Sequence, residues 1–482
     1  MSNPPRPLLC SILALPVVAA CLGAPDSAPA TTEALTAAAA ACPVSGTDVT
    51  RALAVTTPTI LARFGFTRVM TRLRATASIG ELTNTALFQT WMKTFGASAA
   101  PGDCNDAGLD PNHYGLVCPR VPEAKLATVD PFAAVATVTY QPVGLFNRFD
   151  LAPASGAHCG EYRIVYAMSS TGTQVGGRSF LIFEAALPNP TPSAGLAACL
   201  PVAQFWADLS ADPSDTSRAA KLEKFYFTGG AVAGFPAVVD AHHYGLADGA
   251  TAAHGAGQVR TNMFIDNIQW QLREFKLRRT CTTPTDPTTC TLRFDHVTVK
   301  TNPANEVFGA SHARSAAFHT AFPNQVAPLA RASAATLGMS ISDAFNELES
   351  VSHFDRNDVV YTAFADAPLR AAIQAKLTAM GSSLTVNNIL DRATTQTCAG
   401  CHEKSNGAPL GGGVIWPPSM GFVQIDEGRN LSPALRTSFL PRRKAVLEAF
   451  LNSHCAALAG ASALPAADSG LTIGGSPEGA AN

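Results

Sequence analysis

Between about Ala134 and Pro303 the chain is a succession of short alternating or continuous apolar runs: VATVTY, GLFNRFDLAP, EYRIVYAM, RSFLIFEAAL, VRTNMFI, IQWQLREFKL and TLRFDHVTVK. Gly, Pro and Asn separate them, and runs of this length with period-two alternation read as strands. Seven of them predict an antiparallel sheet or sandwich, interrupted by a helical insert near Ala203 to Phe227. Arg148, Asp150, Arg163 and Glu184 interrupt these runs. Period-two alternation places them as paired charges on the solvent face, in preference to polar groups lining a ligand groove.

Helical spacing rules on either side. From Thr47 to Gly96 it is carried by Leu61, Phe64, Met70 and Leu73, then by Leu82, Leu87, Trp91 and Phe95. After Pro303 it returns in SDAFNELESV, PLRAAIQAKLTAM, VNNILDRAT and RKAVLEAFL. The expected fold class is therefore α+β and multidomain. A helical lead-in with a loop closed by a disulfide spans 46–128, a β-rich domain 129–303, a helical region 304–383 and a further mostly α segment 384–457. At 482 residues the chain exceeds one ordinary domain, and 47% hydrophobic residues suffice for a sizeable core. A formal net charge of −2 and the lack of any long basic run exclude an electrostatic case for a nucleic-acid partner.

Arg6 precedes a 13-residue apolar stretch, Leu8 to Ala20, too short to span a bilayer and broken by Pro16. It reads as a secretory signal, 1–20. Its end, Val18-Ala19-Ala20-Cys21, resembles the lipobox of bacterial lipoproteins. That resemblance implies lipidation of Cys21 and a chain exported to the cell envelope, held to the membrane by its lipid alone; the alternative is an ordinary small-residue cleavage that releases a secreted protein. The Ala/Thr/Pro-rich segment 21–45 is expected to be a tether, and 458–482, small residues without an apolar pattern, a disordered tail.

An exported chain is expected to form disulfides. Cys281 and Cys290 flank TTPTDPTT between two strand patterns, and Cys104 and Cys118 flank a Gly/Pro/Asn loop, so each pair can meet across a reversal. Cys159 with Cys199 and Cys42 with Cys455 follow by elimination, although eight cysteines permit about 105 connectivities. Four such bridges leave Cys398 and Cys401.

Those two stand in Cys398-Ala399-Gly400-Cys401-His402, the C-x-x-C-H pattern of covalent haem attachment. Two thiols three residues apart lie one helical turn from each other, matching the separation of the haem vinyl groups, and the adjacent histidine can offer a ring nitrogen to the iron. The flanks, an amphipathic LTVNNILDRATTQ, a Gly/Pro-rich NGAPLGGGVIWPPSMGF and a terminal PRRKAVLEAFLNSH, resemble a small c-type cytochrome domain over about 70 residues. The resemblance implies one covalent haem c, with His402 as proximal ligand and its other ring nitrogen held by a loop carbonyl. Met420, stiffened by the preceding Pro-Pro, is the candidate distal ligand; His454 and an open position are the alternatives. Only 18 residues separate His402 from Met420, a shorter excursion than small cytochromes use. Without the haem, CAGCH would be a thiol or disulfide pair, Cys401 with Cys455 included.

Asp240, His242, His243 and His254 cluster within 15 residues and could supply metal ligands, though solvated loop histidines are the commoner case. Asp103-Cys104-Asn105-Asp106 opens like a calcium loop but has Ala107 and Tyr114 where oxygen donors are needed. The signatures of hydrolases and nucleotide-binding loops are absent. The sequence thus favours electron transfer with an unidentified redox partner. A non-redox ligand- or partner-binding lipoprotein is the alternative, and a single-haem peroxidase the third; two-haem peroxidases would need a second C-x-x-C-H.

Overall fold

The computed structural model describes residues 44–96, 116, 119–171, 175–265, 269–352 and 361–458, without the side chains of 455–458. The signal, Cys21, nearly all of the tether, the Cys104 and Cys118 loop, the Cys42 and Cys455 pairing and residues 459–482 lie outside the described residues.

Among the described residues the chain is α+β, built on one nine-stranded sheet. Its strands are β1 (Ala54–Val55), β2 (Val138–Arg148), β3 (His158–Ser170), β4 (Arg178–Pro188), β5 (Ala247–Asp248), β6 (Gln258–Phe264), β7 (Trp270–Cys281), β8 (Cys290–Val297) and β9 (Glu349–Ser352). The order runs β1-β2-β3-β4-β6-β7, all antiparallel, and β7 organises the far side. β8 and β9 pair with it on one edge; β5, its parallel partner, lies on the β6 edge, because β8 already occupies the other at Arg278 and Arg279. The sandwich alternative is therefore replaced by a single sheet. VATVTY and GLFNRFDLAP belong to one strand, β2, which passes through an irregularity between Pro142 and Gly144. A Pro cannot donate to the ladder, so the strand bulges there rather than ending.

Alternation along the strands gives the sheet two unlike faces. Tyr162, Tyr166, Phe183 and Phe275 project to one, and the helices α1 (Phe66–Thr76), α2 (Asn84–Lys93), α3 (Leu200–Ala211) and α4 (Asp215–Glu223) cover it. Trp91 stacks on Phe294 at 4.1 Å, Trp206 on Tyr162 at 5.7 Å, and Phe66 contacts Tyr166 at 5.3 Å. α3 and α4 are the helical insert anticipated near Ala203.

Arg163, Glu184, Gln258, Arg260 and Glu274 project to the other face, and they are not on a solvent face. Arg148, Arg163 and Glu184 are each at most 1% exposed and Asp150 6%. The alternation is as expected, but residues 398–451 lie over this face, so the charges are enclosed. Buried charges must be paired, and these are: Arg163 with Glu161 (2.7 Å) and Glu184 (3.0 Å), Arg148 with Asp150 (2.9 Å), and Arg260 with Glu274 (2.9 Å).

A second apolar core, Val307, Phe308, Phe318, Phe322, Leu369, Ile373 and Leu377 among others, fills the helical region. It also takes Ile389, Leu390 and Ala393 of α6 (Val386–Thr394), which follows α5 (Ala367–Ala379). Cys401, Trp416, Ile425, Leu435 and Leu451 join the core of the sheet instead. The segment 384–457 thus shares its burial with both neighbours. No helix among the described residues is long and apolar enough to cross a membrane.

Candidate functional site

α6 delivers the CAGCH segment to the sheet. Thr385 and Asn388 form a reciprocal cap at its start, satisfying two otherwise orphaned N–H groups. Arg392, 1% exposed, fans its guanidinium onto four carbonyls: Leu410 (2.8 Å), Leu329, Arg331 and Gly411 (each 2.9 Å). That planar fork locks α6 to the loop beyond the motif and to the helical region.

After Thr394 the chain makes a tight reversal and then one wide helical turn. Cys401 N–H bonds the Thr397 carbonyl (3.0 Å) and Ser405 N–H the Gly400 carbonyl (2.9 Å), an i to i−5 closure. Gly400 is needed for this approach, since a Cβ there would stand 1.8 Å from the Thr394 carbonyl oxygen. The turn is pinned from three sides: Ala399 N–H donates to Ser350 Oγ of β9 (3.1 Å), Gln424 Nε2 to the Cys401 carbonyl (3.2 Å), and Ser419 Oγ to the His402 carbonyl.

Cys398, Cys401 and His402 are all fully buried on the charged face of the sheet. The two cysteines are thiols. Burial and the neighbouring Cys398 push the Cys401 thiol well above its ordinary pKa, against the opposing pull of Arg443, Gln424 and Arg148. Cys398 in turn contributes to the field at Arg260.

His402 has two different nitrogens. Nδ1 lies 2.7 Å from the Phe422 carbonyl, and because a carbonyl only accepts, Nδ1 carries the proton. Nε2 is buried and has no hydrogen-bond partner. Burial first, and then Arg260, depress the imidazole to about 4 against the Phe422 bond, so the ring is neutral at pH 7 with its lone pair on Nε2.

Met420 follows Ser419, whose hydroxyl donates to the His402 backbone carbonyl, and precedes Phe422, whose carbonyl accepts from His402 Nδ1. It is half-buried, its N–H bonds the Val423 carbonyl (2.9 Å), and its own carbonyl accepts from Arg178 Nη1 (3.2 Å). His454 is on the terminal helix α7 (Leu440–Leu458), with Nδ1 2.9 Å from the Phe450 carbonyl and its ring against Phe450. The anticipated bridges Cys159–Cys199 and Cys281–Cys290 are formed.

The other histidine cluster is not gathered around a common point. His242 meets Asp240 at 2.8 Å in an exposed turn, His243 is buried on the Val238 carbonyl (3.0 Å), and His254 faces Arg278 and Asp295. Among the described residues, no three His, Cys, Asp or Glu side chains converge as a metal-binding group.

The sequence reading missed Ser350, Gln424, Asn262 and Trp270, which all touch the site or its loop. The usable signal was an Asn inside the buried run VRTNMFI, since Asn is depleted in strands and a buried amide needs partners. No family model, no curated protein and no solved structure matches this chain.

Proposed function

We propose that this chain carries one c-type haem, attached through Cys398 and Cys401 with His402 Nε2 as an axial ligand, and that it serves in electron transfer. The observation that carries the reading is His402: a buried, neutral ring whose Nδ1–H is committed to the Phe422 carbonyl and whose Nε2 lone pair has no partner. Such a nitrogen is costly to bury unless something accepts its lone pair, and fixing Nδ1–H on a carbonyl is how a metal-binding histidine is oriented. Two thiols one turn away complete a donor set suited to haem c, which would supply one-electron redox chemistry.

The protein's own part is to hold the ring, keep water from it and surround it with charge. Arg260 is buried near the motif, and cationic groups beside a redox centre favour its reduced form. Met420, two residues before Phe422 in the loop that holds His402, is the candidate for a second haem ligand, with His454 and an open position as the alternatives. The lipobox-like end at Cys21 supports a location at the cell envelope, with a lipid anchor and a redox partner there.

The test is expression in a host with c-haem maturation, followed by an alkaline pyridine spectrum and intact mass. One haem per chain is expected, lost in the Cys398→Ser and Cys401→Ser double variant; a wild type without it overturns the reading in favour of a thiol pair. Met420→Ala should remove a thioether charge-transfer band if Met420 is the second ligand; an unchanged ferric spectrum would leave that position open or filled by another group. A high-spin ferric wild type would favour the peroxidase.

A further inference from the structure

β6 and β7 reach the His402 site with two side chains outside the motif. Trp270 Nε1 donates to Asn262 Oδ1 (2.7 Å), and Asn262 Nδ2 donates to the Phe422 carbonyl (3.0 Å), the same oxygen that accepts from His402 Nδ1 (2.7 Å). Asn262 is 2% exposed, and Trp270 and His402 are fully buried. The Trp270 ring stacks on Phe422 at 5.0 Å and on His402 at 5.7 Å. Phe422 sits at φ +64°, a left-handed conformation that strains a bulky residue.

Donor and acceptor chemistry permits one proton arrangement here. An indole N–H only donates, so Asn262 turns Oδ1 toward Trp270 and its amide hydrogens toward Phe422. Phe422 O only accepts, so His402 Nδ1 is protonated. Asn262 Nδ2, 3.4 Å from Nδ1, therefore faces an N–H and places its hydrogen on the carbonyl. Each step leaves the lone pair on Nε2.

We propose, building on the haem reading, that Asn262 and Trp270 are positioning residues for His402. Asn262 holds the strained Phe422 carbonyl in place, Trp270 fixes both the amide and the plane of the imidazole, and together they set its tautomer. The redox centre is then built jointly by the sheet and the C-terminal segment, across 140 residues of sequence between Asn262 and His402.

Full-length protein with haem is compared as wild type, Asn262→Leu, Trp270→Phe and, as a control on the opposite face of β6, Met263→Leu. Asn262→Leu should retain one haem per chain and change the ratio of ferric to ferrous stability about ten-fold, or 59 mV for one electron. Trp270→Phe keeps a ring but loses the donor, and should shift the potential in the same direction by less; Met263→Leu should not move it. Should Asn262→Leu not fold, Trp270→Phe decides. Wild-type potentials in both variants overturn the proposal.

The same chains labelled with 15N-histidine and made without haem give an independent readout. His402, assigned by its loss in His402→Gln, should show one Nδ1–H tautomer in the wild type and a mixture in Asn262→Leu. A single tautomer in both overturns the positioning role. A wild type that never acquires haem overturns the proposed function and leaves this tautomer test standing.

Discussion

Gly400 is the residue of CAGCH with the least freedom to change. Its added Cβ would first meet unyielding backbone, the Thr394 carbonyl oxygen at 1.8 Å and its carbon at 2.7 Å, and then the Thr397 hydroxyl at 2.8 Å. Gly400→Ala must therefore separate α6 from the wide turn, and a loss of about 3 kcal/mol is expected in urea unfolding. Gly176→Ala, with nothing within 4 Å, should change stability by no more than about 0.5 kcal/mol. A second residue with a clear sign is His296 on β8. Burial, and then the Arg273 guanidinium, push its imidazole down to about 3 against a 2.7 Å contact of its Nε2 with the Leu348 carbonyl. Above pH 6.5 the ring is neutral folded or unfolded; as pH falls toward 3, only the unfolded chain takes up the proton and stability drops. The ring is half-buried, which screens the effect. Between pH 7 and 4.5 the wild type should lose about 2 kcal/mol more than His296→Gln, measured from urea midpoints at the two pH values.

Among the elements, β3 and the β7–β8 hairpin are each stapled by a disulfide, and the two staples differ in the length of chain they close. Cys159–Cys199 spans 40 residues and ties the start of β3 to the start of α3, whereas Cys281–Cys290 spans 9 across a hairpin already held by its ladder. The loss of unfolded-chain entropy makes the first worth about 4 kcal/mol and the second about 3. The double variant Cys159→Ala with Cys199→Ala should thus unfold at lower denaturant than Cys281→Ala with Cys290→Ala. Equal midpoints would show that strand pairing, and not chain closure, governs both. The strands and these hairpin cysteines were legible because alternation and turn residues are local signals. β1, β5 and β9 were not, since strands of two to four residues carry too little pattern to stand out; SDAFNELESV, expected to be helical, makes only a 3-10 turn (Asp343–Phe345) before the chain enters β9.

At the scale of the whole molecule, the charged face is where the sheet and the C-terminal segment are joined. Arg260 bridges Glu274 (2.9 Å) and Glu184 (3.4 Å) at 1% exposure; Glu184 keeps Arg163, so Arg260→Met strands the Glu274 carboxylate away from water. A loss of about 3–5 kcal/mol is expected, with most of it recovered when Glu274→Leu is added. If the single variant is as stable as wild type, water reaches this face and the enclosure described above is incorrect.

The longer strands, most of the flanking helices, the Cys281–Cys290 hairpin bridge and the C-x-x-C-H motif are legible in the chain alone, because each is written in spacings of two to ten residues that the backbone geometry reads directly; Cys159–Cys199, 40 residues apart, followed only by elimination. The solvent face was misplaced by the same logic. Alternation tells which residues share a face, but not what covers it, and the cover arrives from more than 230 residues beyond Arg163. Tertiary structure alone decided that Asn262 and Trp270 stand beside His402 and that Phe422 supplies the carbonyl. These are contacts between segments far apart in sequence, fixed by the packing of residues 398–451 on the sheet, and no local periodicity encodes them.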